Sequence, residues 1–154
     1  MLGLARGFFD QPLEEKMKFC SNGAPEWLWD PTSFSSLVTY RNKVNQLGLF
    51  LEELISESLG FDKKYISNVL GVQGQRSCMN YYPKTLAPEL LYGLPVHTDP
   101  NVLTIFLHNH SAPELHIFKD DKWLKFNPRP DSLVICIGDR LQALSGGRYK
   151  NPVS

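Results

Sequence analysis

The chain has 154 residues, 42% of them hydrophobic, which is enough apolar material for one buried core and predicts a single soluble unit. Sixteen basic residues balance sixteen acidic ones, so the formal net charge is zero, and the sequence contains no basic run or stripe. This balance argues against nucleic acid or an anionic membrane surface as a partner and favours a small-molecule substrate.

The N-terminal stretch is predicted to contain a short helix followed by a loop. Residues 1–9 are too short and too interrupted for a secretory signal, and no apolar run is long enough to cross a bilayer. A helix is predicted from Asp10 to Lys18, with Pro12 in its first turn. Residues 20–34 carry Gly, Pro and aromatic residues, which predicts an ordered loop that covers the core.

An amphipathic pattern from about Ser36 to Leu59 predicts the longest helix. Its apolar residues recur at the spacing of one helical face: Tyr40, Val44, Leu47, Leu51, Leu54 and Ile55. Gly60 follows where a helix is expected to stop, and a shorter helix is predicted from Lys63 to Leu70. Both are interpreted as packing helices.

From Arg76 onward the pattern changes to short runs rich in β-branched and aromatic residues, separated by turn residues. Five strands are predicted: 77–82, 102–107, 115–118, 123–126 and 132–137. Several short strands at this spacing indicate a sandwich or barrel. The predicted fold class is α+β, with a helical N-terminal region over residues 1–75 and a β core over residues 76–154.

The three cysteines, Cys20, Cys78 and Cys136, are far apart and form no C-x-x-C arrangement. An odd number of scattered cysteines suits a reducing compartment, so the predicted localisation is cytoplasmic. Each cysteine is expected to pack as a small hydrophobic residue.

His97 and Asp99 are the candidate metal ligands. On an extended chain the side chains of residues i and i+2 leave the same face, about 6.5 Å apart at the backbone, so both can reach one ion. One imidazole and one carboxylate are two members of a 2-His-1-carboxylate triad, which holds non-haem Fe(II) and leaves coordination positions open. The alternative is a hydrogen-bonded pair at the end of a strand.

Sequence blocks around this pair resemble, in order along the chain, the plant 2-oxoglutarate and Fe(II)-dependent dioxygenases. The blocks are Asn80-Tyr81-Tyr82-Pro83, Tyr92-Gly93-Leu94-Pro95, His97-Thr98-Asp99-Pro100-Asn101, Ile137-Gly138-Asp139, Leu141-Gln142-Ala143-Leu144-Ser145 and Gly147-Arg148-Tyr149-Lys150. The chain looks most similar to flavanone hydroxylase and downy-mildew-resistance-type oxygenases, whose wider superfamily includes isopenicillin N synthase. The resemblance implies a double-stranded β-helix, or jelly roll, against a helical N-terminal layer.

The resemblance also implies a cofactor set and a reaction. It gives His97 and Asp99 as Fe(II) ligands and Asn80 and Tyr82 as residues that hold 2-oxoglutarate, with ascorbate as an optional addition. An amide and a phenol can donate hydrogen bonds to a carboxylate; otherwise they are a strand amide and a buried aromatic. The implied reaction uses O₂ to hydroxylate or oxidise a small aromatic or specialised metabolite, with release of succinate and CO₂. Thr98 is expected to face away from the ion.

Several residues near these positions are expected to be structural. Tyr81 lies on the opposite strand face from Asn80 and Tyr82, so it is predicted to belong to the core. The remaining histidines follow the motif and are interpreted as surface or hairpin residues rather than as ligands: His108, His110 and His116.

The resemblance further implies that the chain is truncated at both ends. Family members carry a second His ligand at the position of Ser154 and, further on, an Arg-x-Ser pair whose Arg binds the distal carboxylate of 2-oxoglutarate. We therefore expect the jelly roll to lack its closing strands and residues 1–154 alone to release no succinate. Two hypotheses remain open: a fragment of a functional dioxygenase, and a non-catalytic relative that acts as a binding or dimerising module. The third ligand, the substrate and the oligomeric state are also left open.

Overall fold

The computed structural model describes residues 1–17, 31–82, 86, 93–109 and 115–153, with the side chains of 31–34 outside that description. Within these ranges the helices are α1 (Leu2–Phe9), α2 (Leu13–Met17), α3 (Pro31–Ser58), α4 (Tyr65–Leu70) and α5 (Asp139–Leu144). The strands are β1 (Leu103–Leu107), β2 (Leu115–Lys119), β3 (Lys122–Phe126) and β4 (Leu133–Ile137). None of the helices in the described ranges is long and apolar enough to span a membrane.

Helix α3 confirms the longest helix that the sequence predicts. It begins at Pro31, a residue suited to the first turn because its missing N–H has no partner there in any case. Its last residue is Ser58, and the predicted stop residue, Gly60, follows with a φ of 84°. The Gly60 N–H donates to the Glu57 carbonyl at 2.9 Å and the Phe61 N–H to the Ser56 carbonyl at 3.1 Å, the two bonds of a Schellman stop.

The buried core lies where α3, α4 and α5 meet the segment that leads into β1. Its buried hydrophobic members are Ile55, Leu59, Ile66, Val102 and Leu141. Ile66 and Leu141 are fully buried, and such a side chain contributes about 1.5–3 kcal/mol relative to an exposed one. This core brings α5, late in the chain, against the helical N-terminal region.

Four strands form two antiparallel pairs. Strand β1 pairs with β4, with Ile105 opposite Ile135, and β2 pairs with β3 as a hairpin. The hairpin turn consists of Asp120 and Asp121, whose φ angles of 51° and 59° are both positive, as a type I′ turn requires. These four predicted strands are therefore confirmed to within about two residues, the usual scatter of element ends.

The predicted strand over residues 77–82 is wrong, because none of these residues is in a strand. A strand needs a neighbour for its N–H and C=O groups, and no ladder in the described chain reaches this segment. The core prediction for Tyr81 is also wrong, since its side chain is 50% exposed and its ring stacks on Phe9 of α1 at 5.0 Å. Cys78 is exposed and so does not pack as a hydrophobic residue, whereas Cys136 is partly buried.

The N-terminal predictions are partly confirmed. The helix predicted from Asp10 to Lys18 corresponds to α2, and the sequence did not predict α1 before it. Residues 31–34 of the predicted loop belong to α3, and residues 20–30, including Cys20, lie outside the described residues. The helix predicted from Lys63 to Leu70 is confirmed as α4, which begins two residues later.

Candidate metal centre

His97 and Asp99 lie in the segment 93–101 that precedes β1. His97 Nε2 is 3.6 Å from Asp99 Oδ1, with the two side chains 37% and 25% exposed. This separation is too long for a hydrogen bond, which disfavours the interpretation as a simple hydrogen-bonded pair. The structure therefore brings together one nitrogen donor and one oxygen donor at a partly accessible position.

The backbone holds the His97 ring by its other nitrogen. Nδ1 is 2.8 Å from the carbonyl oxygen of Pro95, and since a carbonyl only accepts, Nδ1 carries the proton. In the tautomer with its proton on Nδ1, the lone pair is on Nε2, the atom that faces Asp99. Histidines that bind metals usually donate their second ring N–H to a carbonyl or carboxylate, which fixes the tautomer in this way.

The backbone of Asp99 is fixed by residues far away in sequence. Its carbonyl oxygen accepts hydrogen bonds from the Asp139 N–H at 2.7 Å and from Asn151 Nδ2 at 3.1 Å. Cys136 on β4 is close enough to feel the Asp99 charge: burial raises the pKa of the Cys136 thiol, and the negative charge of Asp99 raises it further. The Asp99 carboxylate is thus within electrostatic range of a thiol on β4, the strand that ends just before α5.

The donors fit a divalent ion. Nitrogen and oxygen donors about 2.1 Å from such an ion lie about 3.0 Å apart at a right angle, so a separation of 3.6 Å needs only a small closure. Neutral imidazole and carboxylate are the donors expected for non-haem Fe(II). Among the described residues there is no group of three or more His, Cys, Asp or Glu side chains that can hold a metal, so these two are the donors that the described chain supplies.

The candidate 2-oxoglutarate residues, Asn80 and Tyr82, come from the segment that follows α4. Tyr82 is partly buried, and its ring lies against Gly93, where an added Cβ would be 3.1 Å from the ring carbons. This contact places the Tyr82 ring beside the segment that carries the motif, at a point four residues before His97. Asn80 is exposed, and its own segment is not a strand, so the shared strand face from which the pair was predicted is absent.

The other histidines lie on different elements. His108 directly follows β1 and is partly buried, His116 is exposed on β2, and His110 lies outside the described residues. None of the described ones joins His97 and Asp99 in a cluster of three.

Sequence reasoning missed α5 as part of this centre. Gly138-Asp139 has the composition of a turn, yet Asp139 opens a helix whose first turn contacts the His97–Asp99 segment. The Gly-Asp block within the family resemblance was the one signal that pointed to this position.

Antiparallel strands, an N-terminal helical region and a His-x-Asp pair whose donors face each other are the features expected of a non-haem iron protein. Residues 74–153 match the family described as the 2OG-Fe(II) oxygenase superfamily. The chain belongs to that superfamily. The predicted division at residues 75 and 76 stays a prediction.

Relatives of this chain include plant oxygenases. It is 42% identical over 187 residues to the protein DOWNY MILDEW RESISTANCE 6 of Arabidopsis thaliana, with 98% of this chain and 55% of the relative covered. It is 49% identical over 128 residues to flavanone 3-dioxygenase 2 of Oryza sativa subsp. japonica, with 82% and 37% covered. The chain thus spans about half the length of the first relative and a smaller share of the second. The match extends over 187 positions, whereas this chain has 154 residues. That relative therefore contains residues within the match that have no counterpart here.

Solved structures show the same fold. The crystal structure of JOX2 in complex with 2OG, Fe and JA superposes with a TM-score of 0.83 at 24% identity and covers 98% of this chain and 56% of JOX2. A 2OG-Fe(II) oxygenase family protein from Caulobacter crescentus gives a TM-score of 0.69 at 18% identity, with 98% and 64% covered. The predicted α+β class, with helices packed on part of a double-stranded β-helix, is therefore confirmed.

Proposed function

We propose that His97 and Asp99 are two Fe(II) ligands of a 2-oxoglutarate-dependent oxygenase that hydroxylates or oxidises a small specialised metabolite. The observation that carries this proposal is the approach of His97 Nε2 to Asp99 Oδ1 at 3.6 Å, with His97 Nδ1 already engaged by the Pro95 carbonyl. Both donors are partly exposed, so an ion can reach them from solvent.

Membership of the superfamily supports the cofactor set. The matching family is named for 2-oxoglutarate and Fe(II), and the JOX2 structure contains both. The substrate class is proposed from relatives whose names describe a flavanone dioxygenase and a leucoanthocyanidin dioxygenase. Ascorbate, a cytoplasmic location and the absence of nucleic-acid partners stay predictions from the sequence.

Each residue has a defined part in the proposed site. The Pro95 carbonyl holds His97 in the tautomer that presents Nε2, and Asp99 supplies a negative charge that partly neutralises a divalent ion. Bound Fe(II) would supply the site for O₂ activation, in which oxidative decarboxylation of 2-oxoglutarate gives succinate and CO₂ and one oxygen atom enters the substrate. We propose that Tyr82 and Asn80 donate hydrogen bonds to 2-oxoglutarate, with the ring of Tyr82 kept in place by Gly93.

A metal titration of the polypeptide 1–154 tests the ligand assignment. Co(II), which absorbs visible light and is stable in air, replaces Fe(II), and its dissociation constant is measured from the absorption spectrum with and without 2-oxoglutarate. His97→Ala and Asp99→Ala should each weaken binding by more than about tenfold, since removal of a partner outside the ligand set alone typically costs about 10–100-fold.

His116→Ala is the matched control, because it removes an exposed imidazole from β2. It should bind Co(II) like the unmodified chain. The assignment is wrong if His97→Ala binds Co(II) as tightly as this control, or if His116→Ala causes the larger loss.

A further inference from the structure

The first turn of α5 is attached to the segment that carries His97 and Asp99. The Asp139 N–H donates to the Asp99 carbonyl at 2.7 Å, and the Arg140 N–H donates to the Asn101 carbonyl at 3.1 Å. Gly138, just before the helix, is buried and lies so close to the Asn101 carbonyl that no Cβ fits between them. Two backbone hydrogen bonds and one close approach therefore fix where this segment runs.

The Asp139 carboxylate adds a side-chain connection at the same place. Its Oδ2 accepts a hydrogen bond from Thr98 Oγ1 at 3.1 Å, although the two residues are 41 positions apart. Thr98 stands between His97 and Asp99, so a hydrogen bond that holds its side chain also restrains the backbone to which both neighbours are attached. The contact also accounts for the direction of Thr98, whose hydroxyl is turned to α5.

The other oxygen of Asp139 connects to the end of the described chain. Asn151 Nδ2 donates to Asp139 Oδ1 at 2.8 Å and to the Asp99 carbonyl at 3.1 Å. Asn151 is itself held, because its N–H donates to Gln142 Oε1 on α5 at 2.6 Å. One carboxylate thus joins three segments: the His97–Asp99 segment, the start of α5 and the stretch that contains Asn151.

Asp139 is not a third ligand in this arrangement. Both of its oxygens accept hydrogen bonds from the protein, and the described His, Cys, Asp and Glu side chains form no group of three around an ion. Its carboxylate is nevertheless exposed, so its hydrogen bonds compete with water and contribute little to overall stability. A role in stability alone does not explain why three segments converge on it.

We infer that Asp139 is a positioning residue for the metal: through Thr98 and Asn151 it sets the directions of His97 and Asp99 before the ion binds. The inference rests on the proposed function and adds to it a residue that touches neither ion nor substrate. Residues that orient ligands from outside the ligand set typically affect metal affinity by about 10–100-fold. When few side chains bind a metal ion, each one supplies a larger share of the binding energy. The orientation of those side chains before the ion binds therefore has a larger effect on affinity.

The test compares variants of Asp139 in the 154-residue chain by Co(II) titration and by the thermal unfolding of the metal-free protein. Asp139→Ala removes both connections and should weaken Co(II) binding by about tenfold. It should also change the visible spectrum of the Co(II) complex at saturation, because the directions of the donors change. Asp139→Asn should bind within about threefold of the unmodified chain, because its amide oxygen accepts from Asn151 and its NH₂ donates to the Thr98 hydroxyl.

Two further variants keep the test decisive. Thr98→Val preserves the β-branched shape and removes only the hydroxyl, so it should weaken Co(II) binding even if Asp139→Ala fails to fold. Glu57→Ala removes a carboxylate from an exposed position on α3 and is the charge control, expected to leave both the affinity and the spectrum unchanged.

The results separate this inference from the proposed function. If Asp139→Ala and Thr98→Val bind Co(II) like Glu57→Ala while His97→Ala does not, Asp139 has no positioning role and the ligand assignment stands. An equal loss in Asp139→Asn and Asp139→Ala would show that the charge matters and the hydrogen bonds do not, which also overturns the inference. If the unmodified chain and His97→Ala bind Co(II) equally, both proposals fail.

Discussion

The helical core and the segment with the candidate ligands are held in place by different forces, and α5 takes part in both. In the core, Leu141 of α5 is fully buried in the same cluster as Ile66 of α4, where apolar burial supplies the stability. Two residues earlier, Asp139 is exposed and makes hydrogen bonds to the segment 97–99. One short helix is therefore anchored in the packed core and also hydrogen-bonded to the polar, accessible candidate site.

The largest expected effect comes from a substitution of Leu141, the residue by which α5 is buried in the core. Leu141→Ala should lower the free energy of unfolding by about 2–5 kcal/mol, since it removes a fully buried side chain and leaves a cavity. That is a large part of the roughly 5–15 kcal/mol typical of a whole domain. Urea unfolding followed by circular dichroism measures the change.

Leu124→Ala is the control for this prediction. Leu124 lies on β3 and is 48% exposed, so the same truncation should cost much less. If the two variants were equally destabilised, α5 would not be anchored by Leu141, and the comparison between the two ends of the helix would be wrong.

Much of this architecture is predictable from the sequence because it depends on periodic burial. The spacing of Val44, Leu47, Leu51 and Ile55 predicts α3, and short runs of β-branched and aromatic residues between turn residues predict the four observed strands. Helix α5 has one buried residue and six in all, so it has no period to detect. Residues 77–82 have strand-like composition, but whether they pair depends on a neighbour that composition does not specify.

In the candidate site, too, the local features can be predicted from the sequence and the long-range contacts cannot. The spacing of His97 and Asp99 is local, and the sequence predicts that they can share an ion. The support from Asp139 and Asn151 comes from 41 and 52 residues further along the chain, and it exists only once α5 has packed. No pattern in one sequence encodes a contact of that kind.

A smaller loss of stability is expected from a substitution at Gly138, where the start of α5 meets the Asn101 carbonyl. Gly138→Ala places a methyl group against the Asn101 carbonyl, which is backbone and cannot move aside without displacing the segment behind His97 and Asp99. We expect a loss of about 1–3 kcal/mol, the usual range for overpacking, together with weaker Co(II) binding. Thermal unfolding and Co(II) titration of the same sample measure both effects.

Gly7→Ala is the matched control, because nothing lies within 4 Å of a Cβ added there in α1. Alanine favours a helix over glycine, so this variant should be as stable as the unmodified chain or slightly more so. Unchanged Co(II) affinity in Gly138→Ala would mean that the approach of Gly138 to Asn101 does not position the ligands.

The smallest expected effect concerns the one carboxylate buried within the helical core region of the described chain. Glu52 of α3 is 7% exposed, and burial raises its pKa above the ordinary value of 4.5, although a hydrogen bond from Gln73 at 2.8 Å lowers it in part. The folded chain therefore holds this proton more tightly than the unfolded chain does. By linkage, stability is greatest where Glu52 is protonated and falls as the pH rises from about 4.5 through the raised pKa.

Glu52→Gln imitates the protonated form at every pH and can still accept a hydrogen bond from Gln73. Its melting temperature should equal that of the unmodified chain near pH 4 and exceed it at pH 7, by about 2–4 °C for each kcal/mol of ionisation cost removed. Glu57→Gln, on an exposed position of the same helix, should show no such pH-dependent gain. A Glu52→Gln variant that is less stable than the unmodified chain at pH 7 would show that the ionised carboxylate stabilises α3. Apolar burial would then not be the sole source of stability in the helical core, and the contrast between the two regions would not hold.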